Sequence, residues 1–120
     1  MLDHSLFRES SIQGRYLPMK SIQPCFAHVE AEVSCIGKSV DGVDIKSFQI
    51  GKGSIKVLMW SQMHGNESTT TKAVWDLVNF LQSDNPLASH ISEECTICVV
   101  PMLNPDGAKT IPGQIVMISI

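Results

Sequence analysis

No apolar run in this chain approaches the roughly 20 residues that a membrane-spanning helix needs, so a membrane role is not expected. A basic surplus is missing as well: 9 Lys and Arg stand against 12 Asp and Glu, for a net charge of −3, and the cations are scattered singly rather than striped along one face. Without that electrostatic footprint, nucleic acid is not expected as a partner. The polar N-terminus, MLDHSLFRESSIQGRYLP, lacks the apolar stretch of a secretory signal and points to the cytoplasm. Neither an internal repeat nor a low-complexity segment is present. Cysteine is sparse, at Cys25, Cys35, Cys95 and Cys98. The Cys-x-x-Cys formed by Cys95 and Cys98 lies in a β-branched stretch, where residues three apart point to opposite faces and cannot chelate together. Core cysteines of a reducing compartment are the expectation.

What is present suits one modest soluble domain: 120 residues, 43% hydrophobic and 18% charged, enough for a core but too few for two domains. Residues 1–27 are polar and turn-rich, and Pro18 and Pro24 limit any helix there to a short one, so they read as an approach segment. From His28 the stretches HVEAEVSCIGKSV and VDIKSFQIG alternate apolar and polar residues around an Asp41-Gly42 turn, which predicts a β-hairpin at a sheet edge. Asp41 and Asp44 read as turn chemistry. Residues 55–60 are nearly continuously apolar, as expected for a central strand covered on both faces. In residues 68–82, Ala73, Val74, Leu77, Val78 and Leu81 recur at helical spacing. Asp84-Asn85-Pro86 stops that helix, a loop containing His90 follows, and residues 95–101 form a second buried strand. Trp60 and Trp75 are read as core or rim packing.

Two apolar strands joined by a helix make a βαβ unit, whose strands run parallel. The fold class expected is therefore α/β, a mixed sheet in which an antiparallel hairpin leads into a parallel βαβ unit. Two polar loops, His64-Gly-Asn-Glu67 and Asn104-Pro-Asp-Gly107, then fall at the carboxyl ends of neighbouring parallel strands, where open α/β sheets build their sites. His64 offers an imidazole nitrogen and Glu67 a carboxylate, both good zinc ligands, and the turn at Gly65-Asn66 can bring them to one point. A glutamate at a helix start is equally well explained by the helix dipole, so the His-x-x-Glu spacing alone decides nothing. His4, His28 and His90 are expected to be solvent-exposed, and the sequon Asn66-Glu67-Ser68 is a chance match.

The order of apolar strand, HGNE, amphipathic helix, apolar strand and NPDG resembles the N-terminal part of the zinc carboxypeptidases, the carboxypeptidase A-like metallopeptidases, over residues 37–107. WSQMHGNE looks most like their bacterial branch. The resemblance implies that residues 28–108 are the N-terminal part of such a domain. It further implies that His64 and Glu67 are two zinc ligands, that residues 104–107 shape the neighbouring rim, and that the substrate is a peptide cut at its C-terminus. The family's third ligand, its arginines, its tyrosine and its general-base glutamate have no match here. The expectation is thus an incomplete one-zinc site and a chain inactive by itself; the alternative is a non-catalytic remnant that packs or binds peptide without metal. An unfinished sheet would also expose an edge and a face, which predicts self-association.

Residues 109–120 are atypical for that family. Spelled with one permitted set of codons and read from each codon's third base, residues 110–120 become YTRANCYDIN, which carries the Thr-Arg, Asn and Asp-Ile-Asn that family members show next. The reading is a frame change near Lys109; the alternative is a genuine apolar strand over residues 115–120.

Overall fold

The computed structural model describes residues 1–109, so the expectations for residues 110–120 fall outside it. Four strands form one mixed sheet: β1 (Ser34–Lys38), β2 (Asp44–Ile50), β3 (Ile55–Trp60) and β4 (Cys95–Val100), in the spatial order β1-β2-β4-β3. β1 and β2 make the expected antiparallel hairpin, and β2 continues antiparallel onto β4. β3 and β4 are parallel in unbroken register from Ile55 opposite Cys95 to Trp60 opposite Val100. Their crossover holds α2 (Thr69–Leu81) and α3 (Pro86–Glu94), while a short α-helix, α1 (Met19–Ile22), and two 3-10 turns, at His4–Phe7 and Gln23–His28, precede the sheet. The α/β class, the hairpin and the parallel βαβ unit are as expected.

The core lies between one face of the sheet and the helices. Phe48 and Ile50 of β2 and Ile97 and Val99 of β4 alternate inward, and Val74, Trp75 and Val78 of α2 pack with them against Leu17, Ile22 and Phe26. Trp75 is its centre, with Phe26 edge-on at 5.1 Å and Phe48 tilted at 5.9 Å between ring centroids. Ala73, counted above with the apolar stripe of α2, is exposed; Thr71 is buried in its stead.

Of the cysteines expected in the core, only Cys25 is buried; Cys35 is exposed and Cys95 and Cys98 are half-buried. Three expectations about the elements are also corrected. The first strand does not start at His28, which ends a 3-10 turn over Gln23–His28. The backbone there is satisfied by a side chain: Glu30 N–H donates to Gln82 Oε1 at 2.9 Å, and Gln82 Nε2 donates to the His28 carbonyl at 3.0 Å. With its groups already paired, that segment needs no sheet neighbour.

The loop expected around His90 is α3. Asn85 caps it by accepting from Leu87 N–H at 2.9 Å, and Pro86 takes the first helical position, where no donor is needed. Asn-Pro ends one helix and starts the next.

β3 is not central among the described residues; it borders the sheet, paired only with β4. Val57 and Met59 turn toward the core cluster, so Leu58 and Trp60 face the other way and stay 61% and 51% exposed. Trp60 is therefore not core packing, whereas Trp75 is. A nearly all-apolar strand encodes two covered faces, and the described helices supply one. No helix among the described residues is long and apolar enough to cross a membrane.

Candidate metal centre

The two strand-end loops are laced together before either reaches its polar tip. Ser61 N–H donates to the Val100 carbonyl at 3.1 Å and Ser61 Oγ to the Pro101 carbonyl at 2.6 Å. Leu103 N–H then donates to Ser61 O at 3.0 Å and Asn104 N–H to Gln62 O at 3.2 Å. Asn104 completes the link from its side chain, with Nδ2 donating to Met63 O at 3.1 Å and Oδ1 accepting from Gly107 N–H at 2.8 Å. Asn104 thus braces the backbone directly before His64.

Contact between the loop tips requires a glycine. A Cβ on Gly65 would lie 2.0 Å from the Gly107 carbonyl carbon and 2.2 Å from Ala108 N, closer than any side chain can come. Gly65 is the point at which one loop presses on the backbone of the other.

On this base the turn closes by Glu67 N–H donating to the His64 carbonyl at 2.9 Å, and the two side chains meet at the same separation, Nδ1 of His64 facing Oε2 of Glu67. That contact is a hydrogen bond when Nδ1 carries the proton. Both side chains are about two-thirds exposed, at 64% and 66%, so the pair opens to solvent rather than being locked in the core. An imidazole nitrogen and a carboxylate oxygen at one point are the donor types zinc takes, and in that respect these residues fit the ion. His4, His28 and His90 are exposed on other elements, as expected, and among the described residues no three His, Cys, Asp or Glu side chains gather as a metal site.

Comparison with known proteins gives this geometry its context. The family model described as zinc carboxypeptidase matches residues 28–114. The chain belongs to the zinc carboxypeptidase family. Mouse carboxypeptidase M is 25% identical over 117 residues, an alignment covering 88% of this chain and 26% of that protein. Among solved structures, a metallo-carboxypeptidase from Burkholderia cenocepacia superimposes with a TM-score of 0.71 at 24% identity, over 78% of this chain and 28% of that one. A metallo-carboxypeptidase from Pseudomonas aeruginosa, solved with (2-guanidinoethylmercapto)succinic acid, gives 0.64 at 20% identity, over 78% of this chain and 27% of that one. This chain therefore spans about a quarter of the length of these relatives, and at such identities the structural likeness shows the shared fold.

The roles of several residues that build the site escaped the sequence reading. Asp106 is almost fully buried and accepts from Ser39 Oγ at 2.7 Å and Asp41 N–H at 3.0 Å, with Lys109 Nζ at 3.7 Å. Burial pushes its carboxyl up, but those two hydrogen bonds and the Lys109 charge outweigh it and hold the group below the ordinary carboxylate value. Asp41, read as turn chemistry, thus also anchors the hairpin tip to the loop that braces His64. Gln62 and Thr71, joined by a Thr71 Oγ1 to Gln62 Oε1 hydrogen bond of 2.7 Å, lie buried under the same loop. The available hint was a glutamine between an apolar strand and a histidine.

Proposed function

We propose that this chain carries the first part of the zinc site of a metallocarboxypeptidase, which removes C-terminal residues from peptides, with His64 and Glu67 as two of the zinc ligands. The observation that supports this reading is the meeting of His64 Nδ1 and Glu67 Oε2 at 2.9 Å, solvent-facing, at the carboxyl end of β3 in a chain of this family. Zinc bound there would act as a Lewis acid toward a peptide carbonyl and lower the pKa of a water molecule. The chain's own part is to present the imidazole and the carboxylate on one tight turn, braced by residues 104–107. No third ligand joins them among the described residues, so the remaining ligand and the general base are assigned to polypeptide outside these residues, and the chain alone is proposed to be inactive.

The same lack of a third ligand favours a second reading, a remnant that packs or binds peptide without metal. A zinc titration of the whole chain by competition with a chromophoric chelator separates the two. Under the first reading zinc binds weakly, in the manner of an incomplete ligand set, and His64→Ala abolishes binding while changing stability by less than about 0.5 kcal/mol, because the side chain is exposed. Binding that survives His64→Ala, or none at all, hands the site to the second reading. Chelator-sensitive release of C-terminal amino acids by this chain would refute its inactivity.

A second copy of the chain is proposed as a partner, through the edge of β3 that no other described strand pairs with and the exposed Leu58 and Trp60 beside it.

A further inference from the structure

One residue directly upstream of the candidate ligands is held in an unusual conformation. Gln62 has φ +51°, the left-handed region that residues with a Cβ seldom enter, and no other non-glycine among the described residues has a positive φ. It is also 2% exposed, so its amide must find every partner within the protein.

It does so completely. Nε2 uses both of its hydrogens, one to the Leu17 carbonyl at 2.6 Å and one to the Gly65 carbonyl at 2.8 Å, while Oε1 accepts from Thr71 Oγ1 at 2.7 Å. The reverse amide orientation would set an oxygen against two carbonyl oxygens, which fixes the assignment. Two of these partners, Gly65 and Thr71, bracket the candidate ligands together with Gln62 itself. His64 lies between Gln62 and Gly65, and Glu67 between Gly65 and Thr71 in the first turn of α2.

The third partner, Leu17, lies in the approach segment, outside the family match over residues 28–114. Two more side chains reach that segment from beside the site: Ser68 Oγ donates to the Arg15 carbonyl and Lys72 Nζ to the Gly14 carbonyl. Ser68 occupies the N-cap position of α2 without making a side-chain cap bond, its hydroxyl being committed to Arg15.

We propose that Gln62 is the positioning residue of this site. Its amide holds residues 62–67 in the backbone shape that turns His64 and Glu67 toward one point, and it ties that shape to residues 14–17. The role rests on the zinc reading above, so its test needs one readout that involves metal and one that does not.

The variant is Gln62→Met, which keeps length and flexibility while removing both donors and the acceptor; Thr71→Val, which removes only the Oε1 partner, is the milder second variant. The metal-free readout is hydrogen exchange of the Glu67 amide, which closes the turn onto the His64 carbonyl, compared with amides of β4 in the same sample. Gln62→Met is expected to speed Glu67 exchange about tenfold beyond any change in β4, with Thr71→Val between it and the native chain; a merely structural residue would shift both regions together. The metal readout is zinc affinity, expected to fall about tenfold in Gln62→Met, as for other outer-shell losses. Glu67 exchange that only tracks β4, or native zinc affinity in Gln62→Met, overturns the proposal. If the native chain binds no zinc through His64, the zinc reading fails by itself, and Glu67 exchange still decides whether Gln62 sets the turn.

Discussion

At the scale of single residues, the site separates those that face solvent from those that hold the backbone beneath them. His64 and Glu67 are exposed and stabilise the fold little, so their residue types carry chemical information that sequence reading can use. Gly65 is different. A hydrogen on Cα is the only substituent that fits against Gly107 and Ala108, and Gly65→Ala is expected to cost about 1–3 kcal/mol through overpacking and to part the two loops. Urea denaturation together with the zinc titration checks this: a variant with native stability and native affinity would show that the loops do not press on each other. The roles of Gln62, Thr71 and Asp106 were illegible in the sequence for one reason, although Asp106 lies in a loop that the sequence marked. Their importance lies in partners 9, 45 and 67 residues away, and no local pattern marks a buried amide or carboxylate whose partners are that distant.

At the scale of elements, periodicity and turn residues were good guides wherever local preference and tertiary context agreed. The Asp41-Gly42 hairpin, the amphipathic α2 and the β-branched β4 all formed where their patterns placed them. Where they disagreed, one side chain usually decided the outcome, as Gln82 did in satisfying the backbone that alternation had assigned to β1, and Asn85 in starting a helix where only a stop was expected. Asp106 links elements in the same manner, tying the β1-β2 tip to the loop after β4, and its protonation should be visible in stability. Because its folded-state pKa lies below the ordinary value, the tie contributes fully above about pH 4, the unfolded carboxylate range, and is lost as pH falls through the lower folded value. Urea midpoints measured between about pH 2.5 and pH 6 are expected to drop on the acid side, with a shallower drop in Asp106→Asn. Equal acid limbs in the two proteins would assign the loss to other carboxylates.

At the scale of the whole molecule, the described helices cover one face of the sheet and leave Leu58 and Trp60 on the other exposed. Leu58 and Trp60 lie side by side with Cys98 and Val100 across the β3-β4 register, on the face turned from the helices, and β3 has no second neighbour among the described residues. Sedimentation velocity is expected to show association that grows with concentration, and Leu58→Lys, which places a charge on that face, is expected to reduce it severalfold. A native chain that stays monomeric across the range would rule this out. The sequence by itself determined the α/β class, the hairpin, the parallel βαβ unit and the placing of two polar loops at neighbouring strand ends, because side-chain periodicity and turn chemistry are local and survive in any window of a few residues. Only the tertiary structure decided that β3 borders the described sheet, that His64 and Glu67 meet at 2.9 Å, and that Gln62 and Asp106 hold the loops beneath them. Those are matters of which distant backbone groups lie within hydrogen-bonding reach, and that is settled only when the chain has packed.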